Sequence, residues 1–105
     1  IYRLVYNLVE NAIKYNFSGG TVTVNATQQN SQLHLTVEDT GNGIPEELKE
    51  RIFEPFFRLD KSRSRELGGV GLGLALVREI VRVHNGSILV KNNANSGTTF
   101  EVIFP

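Results

Sequence analysis

The sequence predicts an α/β fold, on three observations. The first sixteen residues carry apolar positions at helical spacing, and so does 74–84. Four stretches, 21–27, 32–39, 87–92 and 99–104, alternate or cluster apolar residues at strand length. Glycine-rich turns separate them, at 39–45 and 69–73.

The first helix spans 1–16. Leu4, Val5, Leu8, Val9, Ala12 and Ile13 share its broad apolar side. Arg3, Asn7, Glu10, Asn11 and Lys14 fall on a narrow polar strip. Asparagine competes for the backbone and is poor in mid-helix, so two on one strip are a local inconsistency of the kind found at functional places. Amide oxygens one turn apart can share a small hard cation with phosphate oxygens and water. A solvated helix face is the plain alternative.

Asn16 to Gly20 is a helix breaker. Val22, Val24 and Ala26 mark the first strand, Gln28 to Ser31 a polar turn, and Leu33, Leu35 and Val37 the returning strand of a hairpin. That strand ends in VEDTGNGIP, 37–45. Asp39 sits where the strand opens, and Gly41 and Gly43 let the backbone come close to a ligand. An ionised carboxylate only accepts hydrogen bonds, so held at a pocket mouth it selects a ligand with a donor, such as an exocyclic amine. The same five residues DTGNG also make good turn chemistry by themselves.

Pro45 opens a short helix, Glu46 to Ile52, with acids in its first turn. Phe53, Phe56 and Phe57 read as a hydrophobic plug beside a loop. Residues 59–69, LDKSRSRELGG, are charged and aperiodic, which suits a mobile loop whose cations reach phosphates. Gly69, Gly71 and Gly73 then feed the helix Leu74 to His84, which stops at Gly86. A glycine-rich turn at a helix N-terminus presents free N–H groups to phosphate. No Gly-Lys-Ser/Thr follows, so this is not a Walker loop. Ile88 and Leu89 with Phe100, Val102 and Phe104 supply the apolar face of two final strands. His34 reads as a surface residue with no role, and His84 as structural.

Length and composition bound the function. The chain has 105 residues, room for one domain. Eleven basic and eleven acidic residues cancel, which argues against a nucleic-acid surface. No apolar run reaches membrane-spanning length. With no cysteine, disulfides and thiolate zinc sites are excluded. The opening residues are already in helical pattern, so the chain is expected to be a piece of a longer parent.

The motifs together resemble a known family. NLVENAIKYN (7–16) is similar to the N box, DTGNG with Ile44 and Pro45 (39–45) to the G1 box, FEPFFR (53–58) to the F box, and GGVGLGL, with 69–74, to the G2 box of bacterial sensor histidine kinases. Their catalytic and ATP-binding domain belongs with gyrase, Hsp90 and MutL in the GHKL superfamily. The resemblance covers nearly the whole chain. It implies a two-layer α/β sandwich, the Bergerat ATP-binding fold, with a mixed sheet against three helices. Members carry an extra strand before the N box, so a first edge strand is expected to be missing here.

The resemblance also implies cofactors and roles. ATP and Mg2+ are expected. Asn11 and Asn7 would hold the metal, Lys14 would touch phosphate, and Tyr15 would lie beside the nucleotide. Asp39 would accept the adenine amino proton, with Gly41, Gly43 and Ile44 admitting the ring and Thr98 near the amine. Arg58 would meet the terminal phosphate, 59–69 would form the ATP lid, and Gly69, Gly71, Leu72 and Gly73 would frame the phosphates. Val70 departs from a threonine common in the family, which puts one lid contact in doubt.

Three activities compete: phosphoryl transfer to a histidine, ATP hydrolysis, and nucleotide binding without chemistry. Hydrolysing relatives carry a glutamate where Asn7 stands, and an amide cannot take a proton from water. Glu10 is a nearby carboxylate that could assist. Kinase chemistry is the expected activity. The acceptor histidine is expected on a separate dimerisation domain, with a response regulator as indirect partner and no nucleic-acid or membrane contact by this piece. The parent is expected to be a membrane-anchored sensor with this part in the cytoplasm.

Overall fold

A computed structural model describes residues 2–57, 73–94 and 96–105. Helix α1 (Tyr2–Lys14) leads into a hairpin of β1 (Val22–Gln29) and β2 (Gln32–Asp39). Two 3-10 turns follow, Glu46–Leu48 and Arg51–Phe53. Helix α2 (Gly73–Val83) then precedes a second hairpin, β3 (Ser87–Asn92) and β4 (Thr98–Phe104). The strands stand in the order β1-β2-β4-β3, and all three pairings among them are antiparallel.

Alternation decides which face is covered. Leu35, Val37 and Asp39 of β2 point to the same side as Thr98, Phe100, Val102 and Phe104 of β4, and all seven are buried. Leu4, Leu8 and Ala12 of α1 and Val77 and Val81 of α2 close over them in one core. Phe53 meets Phe100 edge-on, with ring centres 6.3 Å apart. Each such side chain contributes roughly 1.5–3 kcal/mol on burial, so this layer outweighs any single polar contact in the domain. The result is the two-layer α/β sandwich that the sequence resemblance implies.

Local chemistry sets the joints. Pairing in the first hairpin continues to Gln29 and Gln32, leaving a two-residue turn. Asn30 and Ser31 take φ of 51° and 66°, the left-handed pair that matches strand twist. The end of α2 departs from the expected glycine stop. The left-handed residue is Asn85, at φ 58°. Gly86 N donates to Val81 O (2.9 Å) and Asn85 N to Arg82 O (3.1 Å), the paired bonds that close a helix C-terminus.

Two further expectations are corrected. The segment 46–52 is not one α-helix. Its first turn buries nothing and Pro45 makes no side-chain cap, while the second turn swings Ile52 and Phe53 into the core. Without a continuous apolar face, tight i→i+3 turns suffice. Leu89 does not join the inner face. Ile88 and Val90 point inward, which sends Leu89 outward at 52% exposure. β1 lies at one edge of the described sheet and is exposed beyond Val22. Among the described residues no helix is long and apolar enough to cross a membrane.

Candidate functional site

The site begins where β2 runs out. Strand alternation turns Asp39 inward, and only 6% of it is exposed. Its Oδ1 accepts hydrogen bonds from Gly41 N at 2.8 Å and Thr98 N at 3.2 Å. Both bonds fall on the same oxygen, and the residue lines a cavity of about 220 Å3. Burial pushes the carboxyl above its ordinary pKa. The Gly41 and Thr98 amides pull the other way, and the charge on Glu38 adds to the rise.

The cavity has an acid at its back and apolar walls. Ile44, Pro45, Leu48, Thr98 and Phe100 line it, together with Asn11 of α1 and Tyr15 just past that helix. Such a space suits a flat, mostly apolar ring that presents one donor to Asp39. Gly41 shows how close the parts come: a β-carbon there would lie 2.3 Å from Tyr15 O. Gly97, at φ 99°, likewise leaves no room for a side chain against Asp39 O.

The polar strip of α1 divides. Asn7, Asn11 and Lys14 lie on its half-buried inner edge, whereas Arg3 and Glu10 are exposed. Asn11 lines the cavity. Asn7 Nδ2 donates to Arg3 O at 2.7 Å, and its Oδ1 faces Gly73 at the start of α2. Glu10 is not brought to the cavity. It engages the Tyr6 hydroxyl and raises that phenol's pKa. Arg58, the segment 59–69, Gly69, Gly71 and Leu72 lie outside the described residues. His84 Nδ1 pairs with Ile80 O at 2.8 Å and its ring packs on Phe104, a structural setting.

Among the described residues no three His, Cys, Asp or Glu side chains gather as a metal site. A cation here would instead rest on amide oxygens together with phosphate oxygens and water. That donor set fits Mg2+, which keeps most of its shell when it rides on phosphates.

Several residues at the site carried no expectation. Asn92 Oδ1 accepts from Ile44 N and its Nδ2 donates to Ile44 O, both at 2.8 Å. Asn93 Nδ2 donates to Asp39 O at 3.1 Å. Ser96 Oγ donates to Thr40 O at 3.2 Å and also reaches Gly41 O. The signal was present as an Asn-Asn-x-x-Ser turn with more side-chain amides than a hairpin connection needs. Asn16 is a second case. Its Oδ1 accepts from Thr40 Oγ1 (3.1 Å), and its Nδ2 donates to Thr21 O (2.8 Å), tying the end of α1 to both strands of the first hairpin.

Sandwich and cavity together resemble the catalytic domains of histidine kinases, and relatives with known names share the fold. The chain belongs to the family of histidine kinase-, DNA gyrase B- and HSP90-like ATPases, whose profile matches residues 1–105. It is 43% identical over its full length to the sensor histidine kinase RppB of Synechocystis sp., of which it spans 23%. Among solved structures it resembles the mycobacterial sensor histidine kinase MprB, with TM-score 0.84 and 34% identity over 98% of this chain and 68% of that one. The histidine kinase ThkA, solved in complex with the response regulator protein TrrA, matches at TM-score 0.77 and 33% identity, over 98% of this chain and 27% of that one.

Proposed function

We propose that the chain is the ATP-binding catalytic domain of a sensor histidine kinase, and that it donates the γ-phosphoryl group of ATP to a histidine on a separate dimerisation domain. The carrying observation is the buried Asp39 carboxylate, anchored through Oδ1 by two backbone amides and lining the cavity. In this reading Oδ2 accepts the adenine 6-amino proton. Ile44 and Leu48 sandwich the ring, Tyr15 borders it, and Thr98 stands beside the amine. The N box spans 7–16, the G1 box 39–45, the F box 53–58, the lid 59–69 and the G2 box 69–74.

Asn11 and Asn7 would hold Mg2+, and the bound metal would neutralise phosphate charge during transfer. Lys14 would add a cation on the same edge of α1. Arg58, Gly69, Gly71, Leu72 and Gly73 would complete the phosphate cradle. Neutral imidazole is itself a nucleophile, so the domain need only position and neutralise. Asn7 supports kinase over hydrolase chemistry: its Nδ2 is spent on Arg3 O, and an amide takes no proton from water. A response regulator would receive the phosphoryl group afterwards, as ThkA is seen with TrrA. The parent protein would be a membrane-anchored sensor with this domain in the cytoplasm.

The test is an ATP titration with and without Mg2+, followed by labelled ATP alone and then with a histidine-bearing dimerisation domain. Binding strengthened by Mg2+, with acid-labile label only on the added domain, is expected. Label on His34 or His84, or no affinity for ATP, overturns the reading.

A further inference from the structure

The turn between β3 and β4 is bound to the cavity loop in an unusual way. Every bond in question goes to the loop's main chain. Asn93 holds Asp39 O, Ser96 holds Thr40 O, and Asn92 holds both the N–H and the C=O of Ile44. Asn92 thus does for Ile44 what a neighbouring strand does for a strand residue, past the point where pairing ends. Asn93 is fixed in turn, accepting from Thr99 Oγ1 at 2.6 Å and donating its own N–H to Gly97 O at 2.9 Å. Ile44 is 5% exposed and forms a cavity wall, so where Asn92 holds it decides the width of the slot beside Asp39.

We propose that Asn92 is a positioning residue for base selection, and that Asn92, Asn93 and Ser96 form a brace that sets the distance between the Ile44 wall and the Asp39 acceptor. The proposal rests on the adenine reading above and deepens it. The chemistry follows from donors and acceptors. Adenine presents an amine donor at position 6, which a carboxylate accepts. Guanine presents an oxygen there, which a carboxylate repels. The repulsion is large only if the wall keeps the ring from sliding away from Asp39. A rigid brace therefore tightens ATP and penalises GTP. A slack one weakens ATP and forgives GTP.

The experiment compares the intact protein with its Asn92→Ala and Asn92→Asp variants, titrating ATP and GTP and following thermal unfolding. Asn92→Ala leaves both backbone groups of Ile44 without their partner, so ATP affinity is expected to fall about tenfold. GTP affinity should fall less, shrinking the ATP-to-GTP preference by at least about threefold. Asn92→Asp keeps the acceptor for Ile44 N and sets a carboxylate against Ile44 O. It should move the preference the same way by a smaller factor. A role in stability alone lowers the unfolding midpoint and leaves the preference of the folded protein unchanged. That result in either folded variant overturns the proposal. If Asn92→Ala does not fold, the Asn92→Asp preference decides. A wild-type protein with no ATP affinity sinks the adenine reading itself. ATP binding by wild type with an unaltered preference in the variants sinks only the brace.

Discussion

Asn7 and Gly73 bring the two helices together: Asn7 Oδ1 stands 3.1 Å from where a β-carbon on residue 73 would lie. The carboxamide cannot simply swing aside, because its Nδ2 is held on Arg3 O. A methyl group at residue 73 must therefore displace the side chain or the start of α2 by a few tenths of an ångström.

Gly73→Ala separates folding from metal binding. Alanine is the better helix former by up to about 1 kcal/mol, so the variant should remain folded. The displaced Asn7 should weaken the contribution of Mg2+ to ATP binding by about three- to tenfold, the range of one misplaced polar contact. Titration of ATP in Mg2+ and in chelator measures both. An unchanged Mg2+ effect removes Asn7 from the metal assignment.

Asp39→Asn should cost binding and not stability. The asparagine Oδ1 can still accept from Gly41 N and Thr98 N. It removes a charge whose burial is unfavourable, since the folded carboxyl pKa is raised. A raised folded pKa means that the native state binds the proton more tightly than the unfolded chain. Asp39 then favours the fold most below the unfolded carboxyl pKa, and this contribution is lost as pH rises through the folded value. At neutral pH the variant should melt at or above the wild-type temperature, and the difference should close as pH falls into the carboxyl range. ATP affinity at neutral pH should drop at least about a hundredfold, as a charged acceptor is replaced by a group that also presents donors. Calorimetry at several pH values checks both.

How far the sequence foretold these parts depends on the range of the interaction. The hairpins, the two described α-helices and the inward turn of Asp39 follow from periodicity, which is local. The glycines at 41 and 43 also declared themselves, because a turn after a strand is local chemistry. Asn92 and Ile44 are far apart in sequence, and no period connects them. Their bond exists because β3 and β4 bring the turn beside the end of β2. Asn16 and Thr40 met for the same reason. Leu89 was misplaced because three apolar residues in a row, Ile88 to Val90, hide the alternation that says which faces inward. The helix expected at 46–52 failed on core supply: Ile52 and Phe53 are the buried residues of the two turns, and Leu48 packs only partly against the core.

Asn16→Ala tests the knot at the end of α1. The side chain accepts from Phe17 N at 2.8 Å as well as from Thr40 Oγ1, and donates to Thr21 O. Loss of the set should destabilise the domain by about 1–2 kcal/mol. For a domain of this size that lowers the melting temperature by roughly 4–8 °C per kcal/mol. Thr40→Val removes one member of the knot and should lower it by less. Denaturant unfolding of the three proteins provides the comparison, and equal midpoints refute the assignment.

Gly41→Ala tests the contact on which the cavity closes. A β-carbon would lie 2.3 Å from Tyr15 O and 3.2 Å from Asp39 Oδ1. The nearer atom is backbone at the end of α1, so no rotamer change relieves it. Either the loop or Tyr15 must retreat. Overpacking of this kind costs about 1–3 kcal/mol, which a domain of ordinary stability survives. Retreat of the loop takes Gly41 N away from Asp39 Oδ1, while retreat of Tyr15 widens the wall it forms with Asn11. Both routes loosen the grip on a ring, so ATP affinity should fall by more than about tenfold even where the fold persists. Gly19→Ala is the control. Nothing lies within 4 Å of a β-carbon there, and its φ of 84° imposes backbone strain without touching the cavity. It should lower stability and spare ATP affinity. Equal losses of affinity in the two variants would show that general destabilisation, and not the Gly41 contact, governs binding.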